Sequence, residues 1–576
     1  MCGLPTDRLA VVPNAQQPSG ATARSRIRST SRVVVNHIVK HTGVGIVCAV
    51  AYFDPGNWGV DLQAGSQFGY KLLFIVLLAG LFAAFLQVLA SRLGCVTGLA
   101  RSDLASHCRL LLYNRPKRPR LYRWLLLYPL YALSEIAIIS TDLAELLGSA
   151  IALCLLFPRL PLWAGVLLTA SDVLLLLALG NPLGGRPVRL FELLIAALVL
   201  TVLVCMAIII SKVGVHWGQA FYGFVPSNSI FKSGALYTSI GIIGATVMPH
   251  SLFLGSALAT QDRITSSTEL TKPVFSVSSA TSSQSGFTSA SLATFRRSRL
   301  QSGFQHFKVA FLTAFRIVPV EEFANNPTTH AEHENRPLAI VRAHIYHGMV
   351  DIVVSLLGFA VAINAMILIL ASAVFFYGSG KGSGGPASLF DAYDLLRDIV
   401  GKPAATLFAL ALLASGQSSS IIATMAGQIV SEGFLRWRIS PILRRLITRC
   451  LGLIPSMIVA VSVGRSGVDT LLVASQVALS IVLPFIVFPL IWLTSSSSIM
   501  IAKSSPIQLS EHPQNTQEQL QDHSDESRGV DVEDASGETV NFANNRFVAA
   551  VGYAIFVLVA AANVYAIVSL AMGQEL

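Results

Sequence analysis

Charged residues are scarce in this chain. Only 12% of its 576 residues are Asp, Glu, Lys or Arg, while 53% are hydrophobic. Soluble domains carry about a quarter charged residues, so the composition excludes a soluble protein. It indicates a polytopic membrane protein in which apolar helices form one large domain.

Paired cysteines and common metal-hydrolase motifs are also absent. The seven cysteines are scattered, mostly in or beside apolar runs, and no CxxC pair occurs. We therefore interpret them as small buried apolar residues rather than as disulfide or cluster ligands. No HExxH motif and no paired His/Cys set lies in an apolar run. This argues against an intramembrane zinc hydrolase, and we expect no enzyme activity and no resident cofactor.

A cleavable signal is missing from the first residues. Residues 1–36 are polar and contain Arg24, Arg26, Arg28 and Arg32. They lack the short apolar core that a signal peptide needs. We expect a disordered cytosolic tail in this segment.

The excess of positive charge has an explanation in membrane topology. The formal net charge is +10, which in a soluble protein would suggest nucleic-acid binding, but here the cations flank apolar runs. The positive-inside rule places the even-numbered connections and the N-terminus in the cytosol, and we expect no nucleic-acid partner. The basic residues of these connections are Arg115, Lys117, Arg118, Arg120, Arg123, Arg186, Arg189, Arg296, Arg297, Arg299, Arg436, Arg438, Arg444 and Arg445.

Eleven apolar runs are long enough to cross a membrane as helices. They lie near residues 42–66, 71–93, 122–152, 161–180, 189–212, 234–258, 343–370, 403–430, 446–463, 469–495 and 547–571. Two polar, Ser-rich segments interrupt them and predict disordered cytosolic loops. The predicted organisation is the tail 1–36, spans one to six in 37–260, a low-complexity loop 261–340, spans seven to ten in 341–495, a loop 496–545, and span eleven with the C-terminus in 546–576.

The first span is interrupted by the sequence Asp54-Pro-Gly-Asn57. A carboxylate inside a membrane span is costly and predicts a functional site. Pro55 and Gly56 should break the helix beside it, which frees backbone carbonyls that must face protein or a polar cavity. Asp54, Asn57 and the carbonyl of Ala51 then supply oxygens for a cation.

The sixth span is interrupted in the same way. Its apolar run contains Ala245-Thr-Val-Met248-Pro249-His250, and paired broken helices indicate the binding site of a secondary transporter. A thioether at this break is unusual. Methionine sulfur suits transition metals and is a poor ligand for Mg²⁺ or Ca²⁺.

These two motifs resemble the signatures of the Nramp family of proton-coupled divalent-metal transporters. The likeness extends from about Gly43 to Leu493, apart from the low-complexity loop. Other matching segments are Asp61–Tyr70, Thr141–Glu145, Gly416–Ser420, Ala426–Gln428, Glu432–Phe434 and Ser475–Val477. The resemblance implies the LeuT-type fold, with two inverted five-helix repeats followed by an extra C-terminal span.

The resemblance also implies roles for single residues. Asp54, Asn57 and Met248 match side-chain ligands of the metal, and Ala51 and Ala245 match backbone-carbonyl ligands. Gln476 matches a side chain that approaches the metal when the site faces outward, although a buried glutamine can also simply bridge helices. Without the family match, packing is the commoner role of a buried methionine such as Met248.

A proton route is expected beside the metal site. Asp142 and Glu145 are three residues apart and share a helix face, and Glu135 lies lower on roughly the same side. Arg449 on span nine is a plausible counter-charge, and the resemblance places it with Asp142 and Glu145 in the proton route. A static ion-pair network is the alternative. His250 has a side chain suited to proton handling, with gating as the alternative.

Several polar residues have weaker assignments. Asn364 on span seven could line the outer gate, whereas Gln417 lies among small residues of span eight, where helix packing is the better interpretation. His330, His333, His344 and His347 suggest metal capture, but solvated loop and interface histidines are commoner.

The leading hypothesis is a secondary active transporter that imports Mn²⁺ or Fe²⁺, with Cd²⁺, Co²⁺ or Zn²⁺ as further candidates, toward the cytosol by alternating access with protons. The alternative is a metal-binding channel or sensor without coupled transport. In either case the partners are divalent ions, protons and the lipid bilayer. We expect the plasma membrane or an endosomal or vacuolar membrane.

Overall fold

The computed structural model describes residues 43–98, 102–170, 189–232, 234–262, 327–378, 387–436, 441–504 and 539–572. The predicted N-terminal tail 1–36, most of the loop 261–340 and the centre of the loop 496–545 lie outside the described residues.

The described chain is almost entirely helical. Short 3₁₀ turns cover Ala51–Phe53, Gly69–Leu72 and Asn228–Phe231, and π-helical turns cover Arg123–Leu127, Leu356–Ala360 and Ser372–Phe376. The α-helices are α1 Val44–Val50, α2 Pro55–Phe68, α3 Leu73–Thr97, α4 Leu104–Leu112, α5 Pro119–Tyr122, α6 Tyr128–Leu156, α7 Leu162–Thr169, α8 Arg189–Lys212, α9 Trp217–Tyr222, α10 Ala235–Thr246, α11 Pro249–Leu258, α12 Leu338–Ser355, α13 Val361–Ala371, α14 Leu389–Ile399, α15 Lys402–Leu435, α16 Pro441–Ser462, α17 Arg465–Ser495 and α18 Arg546–Ala571.

The helices follow the predicted spans closely. Within the described residues, eight helical stretches are long and apolar enough to cross a membrane. One of them, Pro55–Thr97, contains parts of two predicted spans because the chain turns at Gly69, whose φ of 60° favours glycine. Shorter apolar helices at Val44–Phe53 and Leu446–Ser462 occupy the predicted positions of spans one and nine. Of the predicted fourth span, 161–180, only the part up to residue 170 is described.

Spans one and six are broken where the sequence predicts. In span one, α1 and its 3₁₀ turn end at Asp54, whose backbone is extended, and Pro55 is the first residue of α2. In span six, α10 ends at Thr246, Met248 is extended, and Pro249 begins α11. Proline is well suited to the first helical position because no hydrogen bond needs its missing N–H there.

The ends of the two predicted loops are structured. Residues 501–503 and 539–541 form the antiparallel strands β1 (Ile501–Lys503) and β2 (Thr539–Asn541), with Ala502 opposite Val540. Residues 327–337 pack against the helix ends before α12 begins at Leu338. The expectation that 496–545 and 261–340 are structureless throughout therefore does not hold at these ends, because contacts with distant helix ends order them.

Close helix packing surrounds the first break. Gly148 of α6 lies against Pro55: a Cβ at position 148 would be 2.0 Å from the Cβ of Pro55. Gly416 of α15 is also close, since its Cβ would be 3.3 Å from the Cγ of Pro55. Spans three and eight therefore fix the position of the break, and only glycine allows them to approach so closely.

Candidate metal centre

The first break is organised by the side chain of Asp54. Its Oδ1 accepts hydrogen bonds of 2.9 Å from both the backbone N–H and the side-chain Nδ2 of Asn57, so it caps α2. Asp54 is fully buried and Asn57 is 1% exposed. The two predicted ligands are thus held together by the helix cap itself.

The carbonyls freed at this break are bonded to neighbouring spans. The carbonyl of Tyr52 accepts from Asn364 Nδ2 of α13 at 2.7 Å, and that of Phe53 accepts from Ser415 Oγ of α15 at 2.6 Å. Ala51 lies one residue earlier, buried in the 3₁₀ turn. Polar groups on spans seven and eight therefore stabilise the interruption, as a buried break requires.

The second break faces the first. Asn57 Nδ2 donates to the carbonyl oxygen of Ala245 at 3.0 Å, which joins α2 to the last turn of α10. Met248 follows three residues later in the extended link and is completely buried. The structure therefore brings Asp54, Asn57 and Ala245 into contact and places Met248 in the same link between half-helices.

Gln476 of α17 lies beside both breaks. A Cβ at Gly56 would be 1.7 Å from Gln476 Nε2, and a Cβ at Gly244 would be 2.4 Å from the Gln476 carbonyl oxygen. The side chain is fully buried, and its Nε2 donates to Ser475 Oγ at 3.2 Å. Two glycines thus allow Gln476 to lie beside both breaks, and its approach to the metal stays a prediction.

Several buried acceptors around the breaks lack a hydrogen-bond partner in the described part of the chain. They are Asp54 Oδ2, Gln476 Oε1 and Asn364 Oδ1. Unsatisfied buried acceptors are costly and rare in native structures. A carboxylate, amides, a carbonyl and a thioether form a mixed oxygen and sulfur donor set that fits a divalent transition metal. Among the described residues, no group of three or more His, Cys, Asp or Glu side chains could hold a metal ion, so this centre has few charged ligands.

Asn364 is tied to the centre. Besides its bond to Tyr52, Asn364 Nδ2 lies 3.4 Å from Asn57 Oδ1. It therefore orients Asn57 and connects span seven with the first break. Its predicted role at an outer gate stays a prediction.

A second polar cluster lies between spans three and nine. Arg449 Nη1 donates to Asp142 Oδ1, and the pair is buried, with side chains 4% and 5% exposed. Arg449 Nη2 also donates to Ser420 Oγ of α15 at 2.7 Å. The predicted pairing of Arg449 with Asp142 is present, and a hydroxyl from span eight extends it.

His250 connects the two clusters. Its Nδ1 lies 3.2 Å from Thr141 Oγ1, and that hydroxyl donates to the carbonyl of Ala137 at 3.0 Å. The hydroxyl has a single hydrogen, so it accepts from His250, which places the imidazole proton on Nδ1. Nε2 of His250 is then an acceptor, and it has no partner within the described residues. His250, the second residue of α11, thus lies next to the second break and contacts Thr141, the residue before Asp142.

The remaining predicted residues lie at different depths. Glu145 is fully buried on α6, one turn beyond Asp142. Glu135 is only partly buried and stands apart, about two turns before Asp142 on the same helix. Gln417 is partly buried on α15 next to Gly416, which contacts Ser149 and Pro55. The packing role of Gln417 stays a prediction.

A polar link between half-helices was not predicted. Tyr52 Oη donates to Gln87 Oε1 of α3 at 2.9 Å and accepts from Ser251 Oγ of α11 at 2.6 Å. Asp351 of α12 also accepts from the backbone N–H groups of Gly43 and Gly45 at 3.3 and 2.7 Å, which fastens the start of α1. The available signal was a single polar residue, Gln87 or Asp351, inside an otherwise apolar run.

A cavity of about 550 Å³ lies along α2, beyond the first break. It is lined by Gly59 and Gln63 of α2 and by Tyr237, Asp391, Arg465 and Asp469 from neighbouring elements. Asp61 lies on α2 between the two lining residues Gly59 and Gln63 in sequence. Its side chain is 1% exposed, and its Oδ2 has no hydrogen-bond partner among the described residues.

Comparison with known proteins identifies the class to which this site is similar. The family model described as natural resistance-associated macrophage protein-like (Nramp) matches residues 45–292 and 309–507. A manganese transporter of Schizosaccharomyces pombe is 41% identical over 468 residues, which cover 81% of this chain and 77% of the relative. An iron transporter of Saccharomyces cerevisiae is 34% identical over 551 residues, covering 94% and 98% of the two chains.

Solved structures show the same similarity. A crystal structure of a manganese transporter mutant from Eremococcus coleocola superposes with a TM-score of 0.63 at 27% identity. The match covers 94% of this chain and 89% of that one. It confirms the predicted fold class, an all-α polytopic membrane protein of the LeuT type.

Proposed function

The chain belongs to the Nramp family of membrane transporters, and from that premise we propose that it imports Mn²⁺ or Fe²⁺ toward the cytosol together with protons. The observation that carries the proposal is the meeting of two helix breaks. At this point Asp54, Asn57 and the carbonyl of Ala245 are in contact, and Asp54 Oδ2 has no hydrogen-bond partner among the described residues.

An arriving ion would compete with hydrogen bonds that the residues of the centre make to one another. Asn57 Nδ2 donates to both Asp54 Oδ1 and Ala245 O. Rotation of the Asn57 amide would turn its oxygen toward an arriving cation and release both acceptors. After this rotation the centre would offer three oxygens, from Asp54, Asn57 and Ala245, to the ion, with Ala51 O and Gln476 Oε1 available in other states.

Ligand type explains the choice of metal. Ca²⁺ and Mg²⁺ require a shell of oxygens, whereas Mn²⁺, Fe²⁺ and Cd²⁺ accept sulfur more readily. A fully buried Met248 sulfur at the second break favours the softer ions. Only one carboxylate contributes directly, so the site discriminates by donor chemistry more than by charge.

Protons take a separate route from the metal centre. His250 follows Met248 by two residues, and its Nδ1 contacts Thr141, next to the Asp142–Arg449 pair. The unpartnered Nε2 of His250 is the acceptor for a proton that arrives at the centre. Asp142 and Glu145 then receive it on span three, and Arg449 offsets the charge of a deprotonated acid there. Glu135, lower on span three, is the exit of this route.

Alternating access follows from the asymmetry of the broken spans. The Tyr52–Gln87–Ser251 link closes the halves that point toward the basic connections. The 550 Å³ cavity lies toward the opposite side. Because the basic connections lie in the cytosol, the metal ion enters the centre from outside. It leaves toward the cytosol when Tyr52, Gln87 and Ser251 separate. The N-terminus is then cytosolic, in the plasma membrane or an endosomal or vacuolar membrane.

The test is uptake by the purified full-length protein in liposomes. We expect saturable Mn²⁺ uptake that acidifies the lumen and rises as the outside is acidified. Asp54→Ala and Asn57→Ala should each abolish or severely reduce uptake, because a low-dielectric site loses coordination and, for Asp54, charge compensation. Asp394→Ala is a matched control, because Asp394 is a half-exposed acid paired with Arg397 on α14.

Three outcomes separate the alternatives. Normal uptake by a well-folded Asp54→Ala protein would refute the assignment of the site. Mn²⁺ flux that does not saturate and leaves the luminal pH unchanged would identify the channel. Metal binding without any flux would identify the sensor.

A further inference from the structure

Residues 327–337 form a brace across four spans, which we call the clasp. The backbone N–H of Arg336 donates to Val96 O of α3 at 3.0 Å, and its guanidinium donates to the carbonyls of Ala259 and Thr260 after α11. Asn335 Nδ2 donates to the carbonyls of Ile499 and Ile501 after α17, both at 2.7 Å.

A fourth span is held at the other end of the clasp. Arg436, directly after α15, donates from Nη2 to Pro327 O at 2.6 Å. The clasp therefore joins the ends of spans two, six, eight and ten. All four ends lie on the side of the basic connections, so this side cannot open widely while the clasp is seated.

Three histidines seat the clasp, and we call them the histidine cluster: His107 of α4, His330 and His333. His107 is fully buried and the other two are half-buried. His107 Nδ1 lies 3.2 Å from His330 Nε2, and the two rings stack with centroids 5.4 Å apart. The ring of His333 meets that of His107 edge-on, with centroids 5.2 Å apart. His330 and His333 therefore lie at an interface, one of the two settings expected for them, because they contact a buried imidazole of α4.

The hydrogen bonds define which ring nitrogens carry protons. Thr97 Oγ1 donates to Leu93 O at 2.7 Å, so it accepts from His107 Nε2–H at 2.7 Å. His107 Nδ1 is then the acceptor and His330 Nε2–H the donor. His333 Nε2–H donates to the carbonyl of Thr97 at 2.9 Å. All three imidazoles therefore carry a proton on Nε2, and His107, whose Nδ1 accepts, is neutral in the seated clasp.

A further proton disrupts this arrangement. A proton on His107 Nδ1 would face the N–H of His330, so two donors would meet at 3.2 Å. Burial and the other two imidazoles hold the pKa of His107 well below its usual value of 6.5. Burial, with help from His333 and Arg115, lowers the pKa of His330 to about 4. Burial also lowers the pKa of His333.

Other charged groups around the cluster modify this effect. Arg115 disfavours a cation on His330, whereas Glu334 favours one on His333. Asp103 caps α4, and burial together with Glu432 raises its pKa to about 6. Protonation of Asp103 stabilises the seated clasp, so it opposes the effect of protonating the histidines. Three further charged side chains make hydrogen bonds elsewhere. The guanidinium of Arg109 donates to Phe434 O, that of Arg436 donates to Pro327 O, and the carboxylate of Glu332 accepts from Thr328.

We propose that the histidine cluster is a proton-operated lock on the cytosolic mouth: neutral imidazoles seat the clasp, and protons arriving on that side release it. The inference rests on the proposed proton-coupled import, which delivers protons to this mouth during each cycle. Metal exit would then accelerate where protons accumulate.

The sign of the pH effect follows from linkage. A released imidazole returns to its usual pKa near 6.5, whereas a seated one stays neutral to lower pH. Seating is therefore favoured above pH 6.5 and is lost as the pH falls below it. At pH 5.5 a histidine that stays neutral in the seated clasp shifts the equilibrium toward release by about tenfold, and Asp103 offsets part of the total.

Cys95 provides a native reporter of the clasp. It is 4% exposed and directly precedes Val96, whose carbonyl accepts from Arg336. We would measure the rate at which N-ethylmaleimide modifies Cys95 in the full chain in detergent, by peptide mass spectrometry, at pH 7.5 and 5.5. The comparison is the variant H107Q/H330Q/H333Q, which keeps amide hydrogen-bonding groups but does not titrate. The intrinsic pH dependence of the thiol cancels in the ratio of the two proteins.

We expect the ratio of wild-type to variant rate to rise at least tenfold between pH 7.5 and 5.5. H344Q is the matched control and should retain the wild-type response, since His344 on α12 contacts Asp262 and Ile340 instead. If the triple variant does not fold, His330→Gln alone should remove about one tenfold step.

An unchanged ratio would overturn the proposal, and so would loss of the response in H344Q. Labelling requires no transport. If the wild type fails to carry Mn²⁺, the proposed function fails, while the labelling still decides whether the lock exists.

Discussion

Substitution of Gly148 by alanine should impair transport although Gly148 is neither a ligand nor a proton carrier. An added Cβ would lie 2.0 Å from the Cβ and 2.5 Å from the Cγ of Pro55. Ordinary contacts begin near 3.4 Å, so α6 and the break must separate by about 1.4 Å. The pyrrolidine ring is locked to the backbone and cannot rotate away, so Asp54 must move with it.

The expected size follows from this overlap. Overpacking of a dense core costs about 1–3 kcal/mol. If this free-energy cost destabilises the metal-bound site, Mn²⁺ uptake at low metal concentration should fall by about 5- to 150-fold. Initial uptake rates into liposomes at matched protein density measure the effect. The profile on size-exclusion chromatography verifies that the variant is folded.

Gly358→Ala is the appropriate control. Gly358 lies in a membrane helix, and nothing stands within 4 Å of its added Cβ, so uptake should stay at the wild-type level. Wild-type uptake by a folded Gly148→Ala protein would show that the position of the break does not depend on span three. The account of how spans three and eight hold Asp54 in place would then be wrong.

Two further predictions concern selectivity and protons. Met248→Ala should reduce Cd²⁺ transport most and Mn²⁺ transport modestly, while Ca²⁺ and Mg²⁺ become better competitors, because the sulfur donor is lost. Competition assays would refute this if discrimination between Cd²⁺ and Ca²⁺ stayed at its wild-type level, and Met248 would then be a packing residue. Asp142→Asn and Glu145→Gln should still bind metal but show weaker dependence of uptake on external pH. Unchanged pH profiles in both variants would leave the Asp142–Arg449 pair as a structural ion pair.

The parts of the centre that the sequence predicted are those with local causes. Pro55 and Pro249 each remove a hydrogen-bond donor, so the breaks follow from a few adjacent residues. An acid such as Asp54 inside an apolar run predicts a site without any knowledge of the fold. The contact between Asn57 and Ala245 spans 188 residues, and its prediction depended on the family resemblance.

The parts that the sequence did not predict depend on contacts between distant segments. His107 and His330 are 223 residues apart, and Tyr52 and Ser251 are 199 apart. No periodicity or composition connects such pairs. The loop 261–340 appeared structureless because its Ser-rich composition dominates, although its last residues bind four helix ends. The polar residues inside apolar runs stand out in the sequence, but a single sequence does not identify the residues that they contact.

The short ladder between β1 and β2 has a consequence for protein engineering. Residues 501–503 and 539–541 pair side by side, so the two ends of the intervening segment are fixed next to each other independently of its length. Lengthening a closed loop adds only about 0.6 kcal/mol of closure entropy per doubling. A fluorescent protein inserted between residues 504 and 538 would therefore leave the relative positions of spans ten and eleven unchanged.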